Sequence, residues 1–202
     1  MIPIREWRIT GLVALLLASV ILASWLTSGF TEESVRIVIR ATARSSIVLF
    51  LMAFTAASLR VLLPSPTTAW LVRNRRYLGV SFALSHFTHL AALVVLATQF
   101  PHPFLDDLKS ITLVGGGLAY ALLTLMTITS FDGPRRLVGE RAWKILHTSG
   151  SWYLWLIFVN SYVSRTLHMP AYAIFSVALV AAALLRIASW KRRRAALATQ
   201  TA

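Results

Sequence analysis

The chain has 202 residues, of which 57% are hydrophobic and only 13% charged, and its mean hydropathy is +0.69. That balance excludes an ordinary soluble domain and indicates a membrane protein. The net charge is +13 and there is no cysteine, which removes disulfides, iron–sulfur clusters and thiolate metal sites from consideration.

A membrane-crossing helix needs about 20 apolar residues, and six such runs are predicted, at 9–30, 43–63, 77–100, 111–130, 142–163 and 171–190. The first follows a basic start, MIPIREWR, like a signal peptide. Its apolar run of about 22 residues is too long for a signal core and has no clear small-residue cleavage site, so it is retained as a helix. The second carries Arg36, Arg40 and Arg44 four residues apart on one face. Arginine at membrane depth is expensive and points into a bundle or snorkels. Arg36 and Arg40 are expected among outer headgroups. Arg44, the deepest, is the candidate to bind an anionic group such as a haem propionate or a quinone oxygen, with snorkelling or structural pairing as the alternative.

The connections are short: SPTT closes the second helix, PHPFLDD separates the third from the fourth, and DGPRR the fourth from the fifth. Gly115, Gly116 and Gly117 lack the Lys-Ser/Thr pair of a phosphate loop and read as a close-packing stretch. In a six-helix topology Arg5, Arg8, Arg73, Arg75, Arg76, Arg135, Arg136, Arg141 and the run Lys191 to Arg194 share one side. Glu32, Glu33, Asp106 and Asp107, with Lys109 and Arg165, share the other. The positive-inside rule then places both termini in the cytoplasm. Topology thus accounts for the basic excess, and no nucleic-acid partner is expected. The expected fold is all-α: one transmembrane domain over residues 1–202, a six-helix bundle in the cytoplasmic (inner) membrane, with lipid as its surrounding partner.

Of five histidines, His102 and His168 fall in outer loops beside prolines, where a solvated role is expected. His86 and His89 share one face of the third run, and His147 lies near the start of the fifth. An imidazole buried in a bilayer must be hydrogen-bonded or ligated. Imidazoles from two helices, with no cysteine and no embedded carboxylate, suit haem iron held between helices. Interhelical hydrogen bonding or proton relay is the alternative.

Two stretches carry a resemblance. RNRRYLGVSFALSHFTHL, with Arg75, Arg76, Gly79 and His89, resembles the third-helix motif of the ferric-reductase-like transmembrane family. RRLVGERAWKILHTSGSWYLW, with Gly139, Arg141, Trp143, Leu146 and His147, resembles its entry to the fifth helix, and TARSSIVLFL fits its second. The resemblance covers roughly residues 40–190 and is closest in architecture to the haem-bearing membrane subunits of bacterial periplasmic methionine sulfoxide reductase systems. It implies haem b, with His89 and His147 as iron ligands. His86 is a rival to His89, because at 1.5 Å per residue it is better matched in depth to His147. Where the family often has a further fifth-helix histidine, this chain has Asn160. One haem is therefore expected, with two as the alternative.

The expected function is relay of single electrons across the membrane as an oxidoreductase subunit. No Gly-rich dinucleotide fingerprint is present, so the donor would be a quinol or a separate flavoprotein, and the acceptor an external redox partner or ferric chelate. A flavin is compatible with this reading but is not argued by any residue. The rival is a haem-free membrane scaffold or transporter-like protein whose histidines are structural or carry protons.

Overall fold

A computed structural model describes residues 6–101 and 110–199, so Arg5, His102, Asp106, Asp107 and Lys109 lie outside the described residues. The described chain is all-helical: α1 (Trp7–Ser28), α2 (Glu32–Leu62), α3 (Pro66–Arg73), α4 (Arg75–Gln99), α5 (Ser110–Ile128), α6 (Asp132–Val138), α7 (Glu140–Thr166), a 3-10 turn (Pro170–Tyr172) and α8 (Ala173–Ala198). Helices are the economical answer for such a chain, because each satisfies its own backbone polar groups without water.

Sequence signals set the breaks. Thr31 and Ser34 form a capping box that starts α2, and Ser65 and Thr68 form another that starts α3, with Pro66 in the first turn where its missing N–H costs nothing. Gly29 (φ 62°) ends α1, and Gly139 (φ 80°) separates α6 from α7; both sit in the left-handed region that favours glycine.

Helices α1, α2 and α4, and α8 with the turn before it, are long and apolar enough to cross a membrane. A fifth such span exists if α5 and α6, bent by 106° at their break, count as one. Helix α7 is 27 residues long but falls outside that set, since Ser149, Ser151, Asn160, Ser161 and Ser164 punctuate its apolar residues. The basic segments gather at one end of the bundle. Trp7 packs on Tyr77 and Phe131, Arg76 pairs with Asp132 at 3.2 Å, and Arg193 donates to the Ala57 carbonyl at 3.2 Å. These contacts bring together the start of α1, the start of α4, α6 and the last turns of α8.

Helix α2 is the hub, packing against α1, α3, α4 and α8. Its antiparallel seam with α4 is made of hydroxyls. Ser85 Oγ lies 2.7 Å from Ser45 Oγ and 3.0 Å from Ser46 Oγ, and donates to the Thr42 carbonyl at 3.1 Å. Small side chains let the two backbones approach closely, and their hydroxyls bond across the gap. Below this seam Ile47, Phe50, Phe54, Leu78, Phe82, Leu123, Leu154, Phe158 and Leu179 form one core.

Ser85 is fully buried, so Ser85→Leu should overpack the seam and cost about 1–3 kcal/mol, whereas Ser85→Ala should cost about 0.6–1.5 kcal/mol in lost hydrogen bonding. Unfolding of detergent-solubilised protein by heat or SDS measures both. A leucine variant as stable as wild type would contradict the close seam.

Candidate functional site

At the basic end the helices enclose a cavity of about 590 Å³. Phe50 and Phe54 of α2, Gly79 and Phe82 of α4, Leu123 and Met126 of α5, and Trp143 and Leu154 of α7 give it apolar and aromatic walls. Arg75, Arg76, Arg135, Lys144, Arg186 and Arg193 supply cations, with Asp132 the acidic residue of the lining. Asp132 neutralises Arg76, and Glu140 pairs with Arg135 at 3.0 Å and Lys144 at 3.2 Å. Among the described residues no carboxylate pairs with Arg75, Arg186 or Arg193. Arg75 Nε donates to the Ala53 carbonyl at 3.0 Å, and Arg186 donates to Ser151 Oγ at 3.3 Å while its guanidinium stacks over Phe54 at 4.1 Å. Three guanidinium groups without a counter-charge make this cavity a place for an anion.

His147 enters the cavity from the third turn of α7. Its Nε2 lies 3.0 Å from Thr129 Oγ1, its ring packs on Trp143 at 4.4 Å, and Trp143 Nε1 donates to the Thr129 carbonyl at 3.0 Å. The end of α5 and the start of α7 thereby orient the imidazole together.

His86 and His89 lie elsewhere, toward the other end of α4. The two rings stack at 5.7 Å with a 12° tilt, and His86 also stacks on Tyr120 at 4.9 Å and touches Phe82 and Phe158. His89 Nδ1 lies 3.1 Å from both the Ile39 carbonyl and Thr42 Oγ1. A carbonyl can only accept, so a proton on Nδ1 best satisfies this pair and leaves Nε2 with a free lone pair. His86 Nδ1 is buried and has no hydrogen-bond partner among the described residues.

The structure does not bring either α4 imidazole to His147. His86 meets Phe158, eleven residues beyond His147 on α7, and Tyr120, nine residues before Thr129 on α5. At 1.5 Å per residue the two rulers separate the levels by about 16 and 13 Å, whereas two imidazoles sharing one metal ion each bind it at about 2 Å. The expected pairs His89–His147 and His86–His147 thus sit at two levels: one at the basic end with His147, called inner after the expected topology, and one with His86 and His89, called outer. On α4 the residues lining the inner cavity are Arg75, Arg76, Gly79 and Phe82; on α7 the outer level offers Phe158 and an exposed Asn160.

Arg44 is exposed on α2 and does not line the cavity, while Arg36 and Arg40 pair with Glu32 and Glu33 at 2.6 and 2.7 Å. His168 is exposed. Sequence reasoning missed Arg186 and Thr129. A lone arginine inside an apolar run was the legible signal for Arg186; nothing local distinguishes Thr129, one residue past α5, from the hydroxyls of that helix. Among the described residues no three His, Asp or Glu side chains cluster to hold a metal ion. Comparisons with protein families, with curated proteins and with solved structures return no match.

Because the chain has no cysteine, single-cysteine variants report cleanly on access. Gly79 lines the cavity and Ser81, two residues on, is fully buried. A charged maleimide should label Gly79→Cys readily in detergent and leave Ser81→Cys protected; equal rates would mean that the cavity is closed.

Proposed function

We propose that this chain is a multi-pass haem b membrane protein of the ferric-reductase-like type, which relays single electrons between a quinol or separate flavoprotein and an acceptor on the opposite side. The observation that carries the reading is the inner cavity, where an imidazole, aromatic walls and uncompensated guanidinium groups meet. Its volume of about 590 Å³ lies within the range of small-molecule sites, roughly 300–1,000 Å³. The donor set would fit one haem: His147 would ligate the iron, giving up Thr129; Phe50, Phe54, Phe82 and Trp143 would lie against the macrocycle; and Arg75, Arg186 and Arg193 would hold two propionates. When bound, haem would supply a one-electron ferric/ferrous couple.

The outer level has imidazoles from α4 alone, and the single haem is assigned to the inner one. Rings lead outward from there. Phe54, Phe50, Phe82, His86 and His89 follow one another at centroid distances of 5.0–5.7 Å, and a branch runs from Phe50 to Phe158 at 5.0 Å and on to Tyr162 at 6.3 Å. Six spans, with α7 sheltered in part by α5 and α8, and the basic end in the cytoplasm complete the reading.

Purified protein should show a Soret band with a b-type reduced α-band, at about one haem per chain by pyridine haemochrome assay. His147→Ala should lose most of it, while His86→Ala and His89→Ala retain it. A colourless, folded wild type would support the haem-free scaffold instead, and full haem retention in His147→Ala would sink the assigned ligand. A cysteine at Arg194 should react with an impermeant maleimide only after the cytoplasmic face is opened, and labelling in intact cells would invert the topology.

A further inference from the structure

We infer that the mouth of the inner cavity is a binding site for the phosphate of an anionic phospholipid, held between Arg75 and Arg193 with Arg186 behind them. The inference goes beyond the haem reading and takes from it only the membrane and the cytoplasmic side of the basic end.

Helix α2 sets the spacing. Arg75, the first residue of α4, donates from Nε to the Ala53 carbonyl at 3.0 Å, and Arg193 of α8 donates to the Ala57 carbonyl at 3.2 Å. Ala53 and Ala57 are four residues apart, so they share one face of α2 and stand about 6 Å apart along its axis. Two helices thus deliver guanidinium groups to adjacent turns of a third. Arg186, seven residues before Arg193, enters about 10 Å deeper on α8, over the faces of Phe54 at 4.1 Å and Trp152 at 5.0 Å. All three arginines line the cavity, and each lies within electrostatic reach of the other two. Each is oriented by a neutral oxygen that uses one of its five N–H donors, and none has a carboxylate partner among the described residues. Like charges gathered in this way repel one another unless an anion lies among them.

The level and the walls select the anion. Arg75 opens an apolar helix, and Arg193 follows the apolar stretch of α8 that ends at Trp190; arginine and tryptophan at such a boundary mark the headgroup level. Inward of the cations the lining becomes Phe50, Phe54, Phe82, Leu123 and Met126, which suits a molecule with a phosphate at one end and an apolar body at the other. Guanidinium groups bind phosphate through charge-assisted hydrogen bonds, and basic pockets between spanning helices on the cytoplasmic side suit anionic headgroups. A zwitterionic lipid would bring an ammonium group into the same positive field and is disfavoured. Because propionates would draw on the same cations, the lipid belongs to the haem-free chain.

Native mass spectrometry of the full-length, haem-free chain in an uncharged detergent tests the site, with phosphatidylglycerol, phosphatidylcholine of the same acyl chains, and inorganic phosphate as probes. The wild type should hold one phosphatidylglycerol about tenfold or more tightly than phosphatidylcholine. Arg75→Gln and Arg193→Gln should each lose most of that preference, and Arg75→Lys, which keeps the charge, should recover much of it. Arg192→Gln and Arg194→Gln remove the same charge from exposed side chains that do not line the cavity and should leave the preference almost unchanged. An equal loss in those two variants would reduce the effect to diffuse surface charge and overturn the site. Equal binding of the two lipids by the wild type would overturn it without recourse to any variant, and inorganic phosphate binding as tightly as the lipid would overturn the lipid assignment in favour of free phosphate. Haem content is read from its own spectrum, so each of these failures leaves the haem reading standing.

Discussion

The hydroxyl seam between α2 and α4 is the contact on which the rest of the bundle depends. Thr42, Ser45, Ser46 and Ser85 are small enough to bring the two backbones together, and they bond across the gap they close. Once that register is set, Ile39 and Thr42 receive His89, and the Ala53 carbonyl receives Arg75 at the far end of the same pair. One seam thus aligns the outer imidazoles and the mouth of the inner cavity. Leucines in place of these serines would separate the helices and release both.

Electrostatics distinguishes the inner end. Basic segments converge there, and two carboxylates beside the cavity, Asp132 and Glu140, are taken up by Arg76, Arg135 and Lys144. Arg75, Arg186 and Arg193 are left to carbonyls, a hydroxyl and aromatic faces. Those partners orient a guanidinium without neutralising it, so the field in the cavity stays positive. An anionic group entering the cavity meets that field already assembled, and an aromatic wall against which a flat body can lie.

Between the two ends the polar chemistry is divided unequally. Each level has imidazole from one helix alone, and rings of α2, α4 and α7 fill the space between them. A helix of the α7 type, with serines and an exposed asparagine among its apolar residues, would be poorly suited to lipid on all sides. Packing against α5 and α8 shelters part of it, and its Trp155 Nε1 finds the Leu179 carbonyl at 2.9 Å.

The sequence by itself determined what local chemistry decides. Long apolar runs read as helices, and the capping boxes at Thr31 and Ser65 and the left-handed glycines at 29 and 139 end or start them, because each signal acts within a turn or two. The gathering of arginines at one end was legible too, since alternate connections of an antiparallel bundle must share an end. The pairing of histidines was not. His86, His89 and His147 are each plainly on a helix, yet whether two of them can meet depends on the relative height of α4 and α7, and that height is fixed by the α2–α4 seam and by rings such as Phe158 and Tyr120. A shift of one helical turn is about 5.4 Å, more than a metal–ligand distance can absorb, and no run of consecutive residues encodes it. Only the tertiary structure decided that His147 lines one cavity with Gly79 and the arginines, while His86 and His89 meet Tyr120, Phe158 and the carbonyl of Ile39.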